Sequence, residues 1–270
     1  MSATRLKQRW PIIFSCAVGL ASMDYLIAPS PVAACFLGFG CESRSVGKAR
    51  GATPGKARRD SDVCKSTDLP LSALVPNTDE TFKTSITHPT FWFYLPELKP
   101  IVATGSPKKS EIKLKFVLQD EQHNDIYQTR FQLPESPTSG VIGLRFLTSK
   151  AALEIGKKYR WYFLMYCNDP DEIYEPTFVE GLIQREPLST DRQAQLDRET
   201  PQQRVLTYAE TGLWYDTLTA LDQISSLPDT TTTAIFKNDI KITWSKLLQG
   251  VGLPAPIAQQ HVIGHYYVEN

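Results

Sequence analysis

The 270-residue sequence is poor in the residues from which most active sites are assembled. It has four histidines, His88, His123, His261 and His265, and five cysteines with no Cys-x-x-Cys spacing among them. That excludes the usual zinc frameworks. No Gly-x-Ser-x-Gly elbow exists, so an α/β-hydrolase triad has no nucleophile. The stretch Gly51-Ala52-Thr53-Pro54-Gly55-Lys56-Ala57 is one residue short of a phosphate loop. It also has Ala where a Ser or Thr must reach the metal, and it follows no strand. Net charge is absent as well, and no uncharged apolar run approaches the roughly 20 residues needed to span a bilayer.

What is present is an export signal. Arg5, Lys7 and Arg9 precede an uncharged run at residues 11–23, and Val32-Ala33-Ala34 offers small residues for cleavage. We expect a signal peptide over residues 1–34. Val32-Ala33-Ala34-Cys35 also fits a lipobox, in which Cys35 would carry a lipid anchor. Asp24, Pro29 and Pro31 stand between it and the apolar run and argue against that alternative. Cys35, Cys41, Cys64 and Cys167 remain in the mature chain, an even number suited to an oxidising compartment. They allow three pairings, of which Cys64–Cys167 ties the start of the folded region to a late strand. Closing that loop is worth up to ~4–5 kcal/mol in the chain-entropy model.

Residues 35–63 read as a basic Gly/Arg-rich linker. Arg44, Lys48, Arg50, Lys56, Arg58 and Arg59 are met by no acid between positions 43 and 59. From Asp60 onward the chain has 20 Lys+Arg against 27 Asp+Glu, so a basic tail leads into an acidic body.

Strand signals follow over residues 64–187. They begin with a short segment at 71–75 and the aromatic run Phe91-Trp92-Phe93-Tyr94-Leu95. Residues 111–118 alternate cleanly and pair as a hairpin with 127–133, and further strands are expected at 141–146, 159–166 and 177–185. Seven short strands broken by Pro and Gly predict a mainly β chain carrying an immunoglobulin/fibronectin III-like β-sandwich. Leu153-x-x-Gly156-x-x-Tyr159-x-Trp161 sharpens the expectation, because in such domains a Tyr near the start of the sixth strand bonds back across the preceding corner. Tyr159, Trp161, Phe163 and Met165 then face the core, and Arg160, Tyr162 and Tyr166 face outward.

Residues 188–270 change to a period near 3.6 and predict a small α-helical C-terminal region. Thr200-Pro201-Gln202-Gln203 is a capping box with proline at the first helical position, opening a helix to about residue 225. Pro228 and the threonines at 230–233 are expected to break it, with a second helix at 244–251 and a third after Pro256.

Few groups suggest chemistry. His261 and His265 have the spacing of two ligands on one helical face, without the Glu of the zinc-protease motif and with Gly264 between them. Ser45/Lys48 and Ser106/Lys109 lie in linker or loop sequence. Asp169, Asp171 and Glu172 read as a solvated loop rather than as calcium ligands or glycosidase carboxylates. The aromatics are richer, and Trp92, Tyr162 and Tyr166 are the candidates for an exposed binding surface.

The motifs Cys64, Leu71-x-x-Leu74-Val75-Pro76, Pro89-Thr90-Phe91-Trp92-Phe93-Tyr94 and Gly156-x-x-Tyr159-Arg160-Trp161-Tyr162-Phe163 up to Cys167 resemble an uncharacterised family of exported cyanobacterial proteins. That family is the domain-of-unknown-function family 928. Gly181-x-Ile183-Gln184-Arg185 and Gly212-Leu213-Trp214-Tyr215-Asp216 continue the resemblance. It implies export to the periplasm or outer envelope, favours the Cys64–Cys167 pairing, and supplies no catalytic residue. The expectation is therefore a non-enzymatic envelope module that contacts a protein partner and uses no cofactor, metal or nucleic acid. The alternative is a carbohydrate-active enzyme or glycan-binding protein.

Overall fold

The computed structural model describes residues 69–76, 80–97, 113–132, 139–166, 176–228 and 231–268, with side chains from 237 onward in the last helix-bearing stretch. The expected signal peptide, the linker, the loop carboxylates at 169–172 and every cysteine lie outside these residues, including Cys64, Cys167 and Cys35.

The chain is mainly β, with two mixed sheets and a helical C-terminal region. Nine strands are described: β1 (Ser72–Ala73), β2 (Thr81–Thr84), β3 (Thr90–Leu95), β4 (Lys113–Gln119), β5 (Asp125–Phe131), β6 (Gly140–Phe146), β7 (Lys158–Tyr166), β8 (Thr177–Arg185) and β9 (Val262–Val268). One sheet has the order β1-β3-β6-β9 and the other β2-β8-β7-β4-β5. Most neighbours are antiparallel, but β2 runs parallel to β8 and β9 parallel to β6.

The seven expected strands all form, and two more join them. β2 is only four residues long and too short to register as a pattern. β9 lies where a third helix was expected to lead, and its Val-Ile-Gly-His-Tyr-Tyr-Val sequence is β-favouring throughout.

Alternation dictates which side chains meet. Tyr159, Trp161, Phe163 and Met165 of β7 are buried while their neighbours are only partly so. Phe91 and Phe93 of β3 meet them from the opposite sheet: Phe93 stacks on Phe163 at 4.1 Å and Phe91 lies 4.9 Å from Phe116. The two sheets thus lie face to face across an aromatic core, and each such ring contributes about 1.5–3 kcal/mol when fully buried.

The corners are fixed by hydrogen bonds. The Glu154 N–H donates to the Tyr159 phenol oxygen at 3.1 Å, across a turn in which Gly156 has φ 78°. In the β4–β5 hairpin, Asp120 accepts from the Gln122 and Asn124 amides and from the Asn124 side chain. The bonds from Asn124 hold its carboxyl below the usual range.

Five helices are described: α1 (Thr190–Leu196), α2 (Pro201–Glu210), α3 (Trp214–Ser225), α4 (Thr231–Gly250) and α5 (Ala255–Ala258). The capping box at Thr200 and Gln203 forms as expected. The long helix expected from it is divided at Gly212, whose φ of 72° ends α2. The break expected at Pro228 falls between α3 and α4, and the threonines at 231–233 open α4.

Helix α3 ties the helices to the sheets. Trp214 donates its indole N–H to the Leu74 carbonyl, and Tyr215 packs edge-on to Phe91. Asp216, almost fully buried, accepts the Thr84 hydroxyl at 2.6 Å, the Ser85 amide at 3.2 Å and the Ser85 hydroxyl. Burial pushes its carboxyl up, against the pull of those bonds.

Candidate functional site

Helices α3 and α4, the turn after α5, and β9 enclose a cavity of about 270 Å³. Its walls come from Leu221, Asp222, Ser225 and Ser226 of α3 and the residue after it, Ile240, Lys241 and Trp244 of α4, and the segment Ala258 to Val262 with His265. The apolar stripe of α3 turns Leu221 and Ile224 inward, which places Asp222 beside them at the cavity wall. The two-residue alternation of β9 then sets His265 on the outer face of its sheet. Val262, Tyr266 and Val268 pack on the core from the other face.

One bond joins these elements. His265 Nε2 donates to Asp222 Oδ2 at 2.7 Å. That carboxylate raises the imidazole pKa above its ordinary value, against partial burial. Behind the pair stands Trp92, whose ring is edge-on to Trp244 at 5.6 Å and to His265 at 5.7 Å. Gly143, opposite Trp92 on β6, makes room for it: a Cβ there would lie 3.0 Å from the indole.

The polar accounting around this cavity is incomplete. Asp222 is 6% exposed and Trp244 8%, yet Asp222 Oδ1 and Trp244 Nε1 have no hydrogen-bond partner. Trp92 Nε1, in the ring behind them, also lacks one. Four buried side-chain atoms are in this state among the described residues, and three of them belong to this cluster. A buried group left unpaired costs about 1–3 kcal/mol, so most of that cost among the described residues falls on this cluster.

The residues expected from sequence fare differently. Trp92 is 3% exposed and is not a surface ring, because β3 is covered on both faces, by the opposite sheet and by Trp244. Tyr162 and Tyr166 are half-buried on the outer face of β7. Tyr162 lies 6.2 Å from Phe178, and burial raises its phenol pKa. Tyr166 borders a separate cleft with Lys113, Arg130 and Phe131. The structure does not bring these three aromatics together. His261 and His265 share no helix. His261 precedes the first residue of β9, and both histidines line the same cavity, His265 with its Nε2 held by Asp222.

A broader depression lies between the sheets and α1–α2, beside Arg185, Asp197 and Tyr208. Arg185 there already donates to the Ser85 and Leu153 carbonyls, so its role is to hold the β2 and β8 ends together.

Sequence reasoning missed Asp222 and Trp244. Each sits in an amphipathic helix with no motif around it. The one available signal was the pairing of an acid with an apolar stripe on α3.

A mainly β chain with a partly enclosed, mostly apolar cavity is the class that fold and site define. The family model that matches it spans residues 52–262 and carries the description Domain of Unknown Function (DUF928). The chain belongs to this family. No curated protein matches it.

Proposed function

We propose that the chain is an exported, non-catalytic binding module of the cell envelope, built on an immunoglobulin-like sandwich, whose ligand occupies the cavity between α3, α4 and β9. The observation that carries this reading is a cavity of about 270 Å³ whose wall holds the His265–Asp222 pair beside Leu221, Ile240 and Trp244. A preformed, mostly apolar recess with a few convergent polar groups is what small-ligand sites look like. His265 bonds a carboxylate rather than a serine, cysteine or lysine, which suits a positioning group better than the base of a nucleophile.

Strand order supports the immunoglobulin-like reading. β1-β3-β6 follows the A-B-E order and β8-β7-β4-β5 follows G-F-C-C′, while β9, last in the chain and parallel to β6, stands where strand D would and is not its equivalent. The Tyr159 corner bond supports it further. Export rests on the charged start, the apolar run and the small residues at 32–34.

Ligand-observed NMR with a fragment library tests the site. Fragments should bind the wild-type chain and be lost from Ser226→Trp, which fills the mouth from an exposed position. A library with no hits, or the same hits on the filled variant, would sink the reading.

A second reading, contact with a protein partner, is favoured by the outer edge of β9. Ile263 and Tyr267 are exposed there, the latter by 61%, on a strand that is paired along one side only among the described residues. A cross-linking experiment in the native envelope that captures one partner through β9 would establish it.

A further inference from the structure

We infer that the outer face of the five-stranded sheet is a second binding surface, and that its ligand is an acidic polysaccharide, a chain of sugar rings carrying carboxylates. This goes beyond the cavity reading and does not depend on it, since no residue of the face lines that cavity.

Alternation and register assemble the face. Leu114, Phe116 and Leu118 of β4 turn inward, so Lys113, Lys115 and Val117 turn outward. Lys115 stands opposite Arg130 of β5 on one side and Leu164 of β7 on the other, and Leu164 stands opposite Phe178 of β8. Tyr166 is the partner of Lys113, and Tyr162 that of Val117. The helices pack elsewhere, α3 against β2 and β3.

Charge sets the sign of the ligand. Lys115 and Arg130 are like charges directly opposite each other, an arrangement that destabilises a strand pair. Arg130 is exposed and Lys115 half-buried, and among the described residues neither side chain has a hydrogen bond or ion pair to offset the repulsion. A cleft of about 340 Å³ opens at this corner, where Lys113 and Arg130 line it with Gln132, Phe131 and Tyr166. No carboxylate lines it among the described residues. Further along the face Arg160 is matched by Glu180 at 2.9 Å, so the unmatched charge is local. From Asp60 onward the chain has 20 Lys+Arg against 27 Asp+Glu, so this is a basic corner on an acidic body. An anion is the ligand that relieves it.

Topology and spacing choose between acidic polymers. A peptide that adds as a strand needs open main-chain groups, and β4 and β7 are each paired on both sides. A strand added at the edge of β5 would stop at Arg130 and leave Tyr162, Leu164, Tyr166 and Phe178 untouched. The row Arg130, Lys115, Leu164, Phe178 instead runs across four strands, cations first and apolar surface after. Neighbouring strands lie ~4.8 Å apart, close to the length of one pyranose. A sugar chain lying across the strands therefore sets one ring on each, with carboxylates over the cations and C–H faces over the rings.

The test is calorimetry of the full chain with polygalacturonate and alginate at ~0.15 M salt, where exposed charges are well screened. Methyl-esterified polygalacturonate, dextran and polyglutamate are the comparison polymers. At least one uronate polymer should bind saturably and more weakly as salt rises, while the esterified polymer and dextran should not bind. Arg130→Glu should weaken binding at least ~10-fold, and Lys115→Gln about 5-fold. Lys115→Gln also removes the like-charge opposition, so its melting temperature should equal or exceed that of the wild type while its affinity falls. Tyr166→Ser should weaken binding about 5-fold without changing its dependence on salt, which separates ring contact from simple ion exchange.

Polyglutamate that binds as tightly as the uronate polymers overturns the ligand class. Uronate binding that Arg130→Glu and Lys115→Gln leave unchanged overturns the assignment to this face. Failure of both uronate polymers overturns the inference, whatever fragments the cavity takes.

Discussion

Trp161 of β7 donates its indole N–H to the phenol oxygen of Tyr215 in α3 at 2.9 Å, inside the fully buried core. Burial holds the Tyr215 phenol far above its ordinary pKa, so it stays neutral and free to accept. The bond joins a central strand to a helix 54 residues further along. Tyr215→Phe removes the acceptor and leaves the indole N–H buried without a partner. A loss of about 1–3 kcal/mol is expected. Urea unfolding should show a lower midpoint with an unchanged slope.

The same indole is pinned from β8. A Cβ built on Gly181 would sit 2.3 Å from Trp161 Cζ2 and 2.7 Å from Cε2. Trp161 is held by Tyr215 and by Phe91 and Phe93, so it has nowhere to go. Gly181→Ala should cost about 1–3 kcal/mol as overpacking. Combined with Tyr215→Phe the losses should fall short of their sum, since both substitutions release one ring. A double-mutant cycle by denaturant melting reads this coupling directly.

Asp216 holds β2 and the Ser85 turn against α3 with both carboxyl oxygens. Asp216→Ala abandons the Thr84 hydroxyl and the Ser85 amide and hydroxyl in a buried site. It should be more damaging than Tyr215→Phe, because several donors lose a partner at once. Hydrogen exchange should show β2 amides losing protection before those of β4 and β7.

The His265–Asp222 pair makes part of the stability depend on pH. The carboxylate raises the folded-state pKa of His265 above the ordinary value near 6.5. Its contribution is therefore complete below that ordinary value and is lost as pH rises through the higher folded one. Calorimetric melts should show the melting temperature falling across that window in the wild type. His265→Gln should flatten this fall. An unchanged slope in the variant would mean the pair does not titrate with folding.

Much of the sheet architecture is legible in the chain. Strands β4 and β7 alternate because each has one face on the core, so their period is visible in the residues themselves. Thr200 and Gln203 announce α2 because capping is a local bond between residues three apart. Where contacts are distant, the residues say less. β3 is apolar on both faces, so nothing local tells that Trp92 faces a helix rather than water. Thr81–Thr84 becomes a strand by pairing with Leu182–Arg185, a hundred residues away. The site is the extreme case. Asp222, Trp244 and His265 come from three elements, and each is ordinary in its own sequence.

The placement of β9 has a consequence for how the molecule is made. Val141 of β6 pairs with Val262, about 120 residues later. However the chain is delivered from its N-terminus, β6 keeps its edge amides open until those last residues arrive. During that interval the half-built sheet is a template for any passing extended chain, including another copy in the same state. The last strand therefore acts as a closure step, and it brings His265 to the cavity in the same motion. A molecule cut short before residue 262 would lack both, so a sticky, sheet-exposed intermediate and an unfinished pocket are the same species.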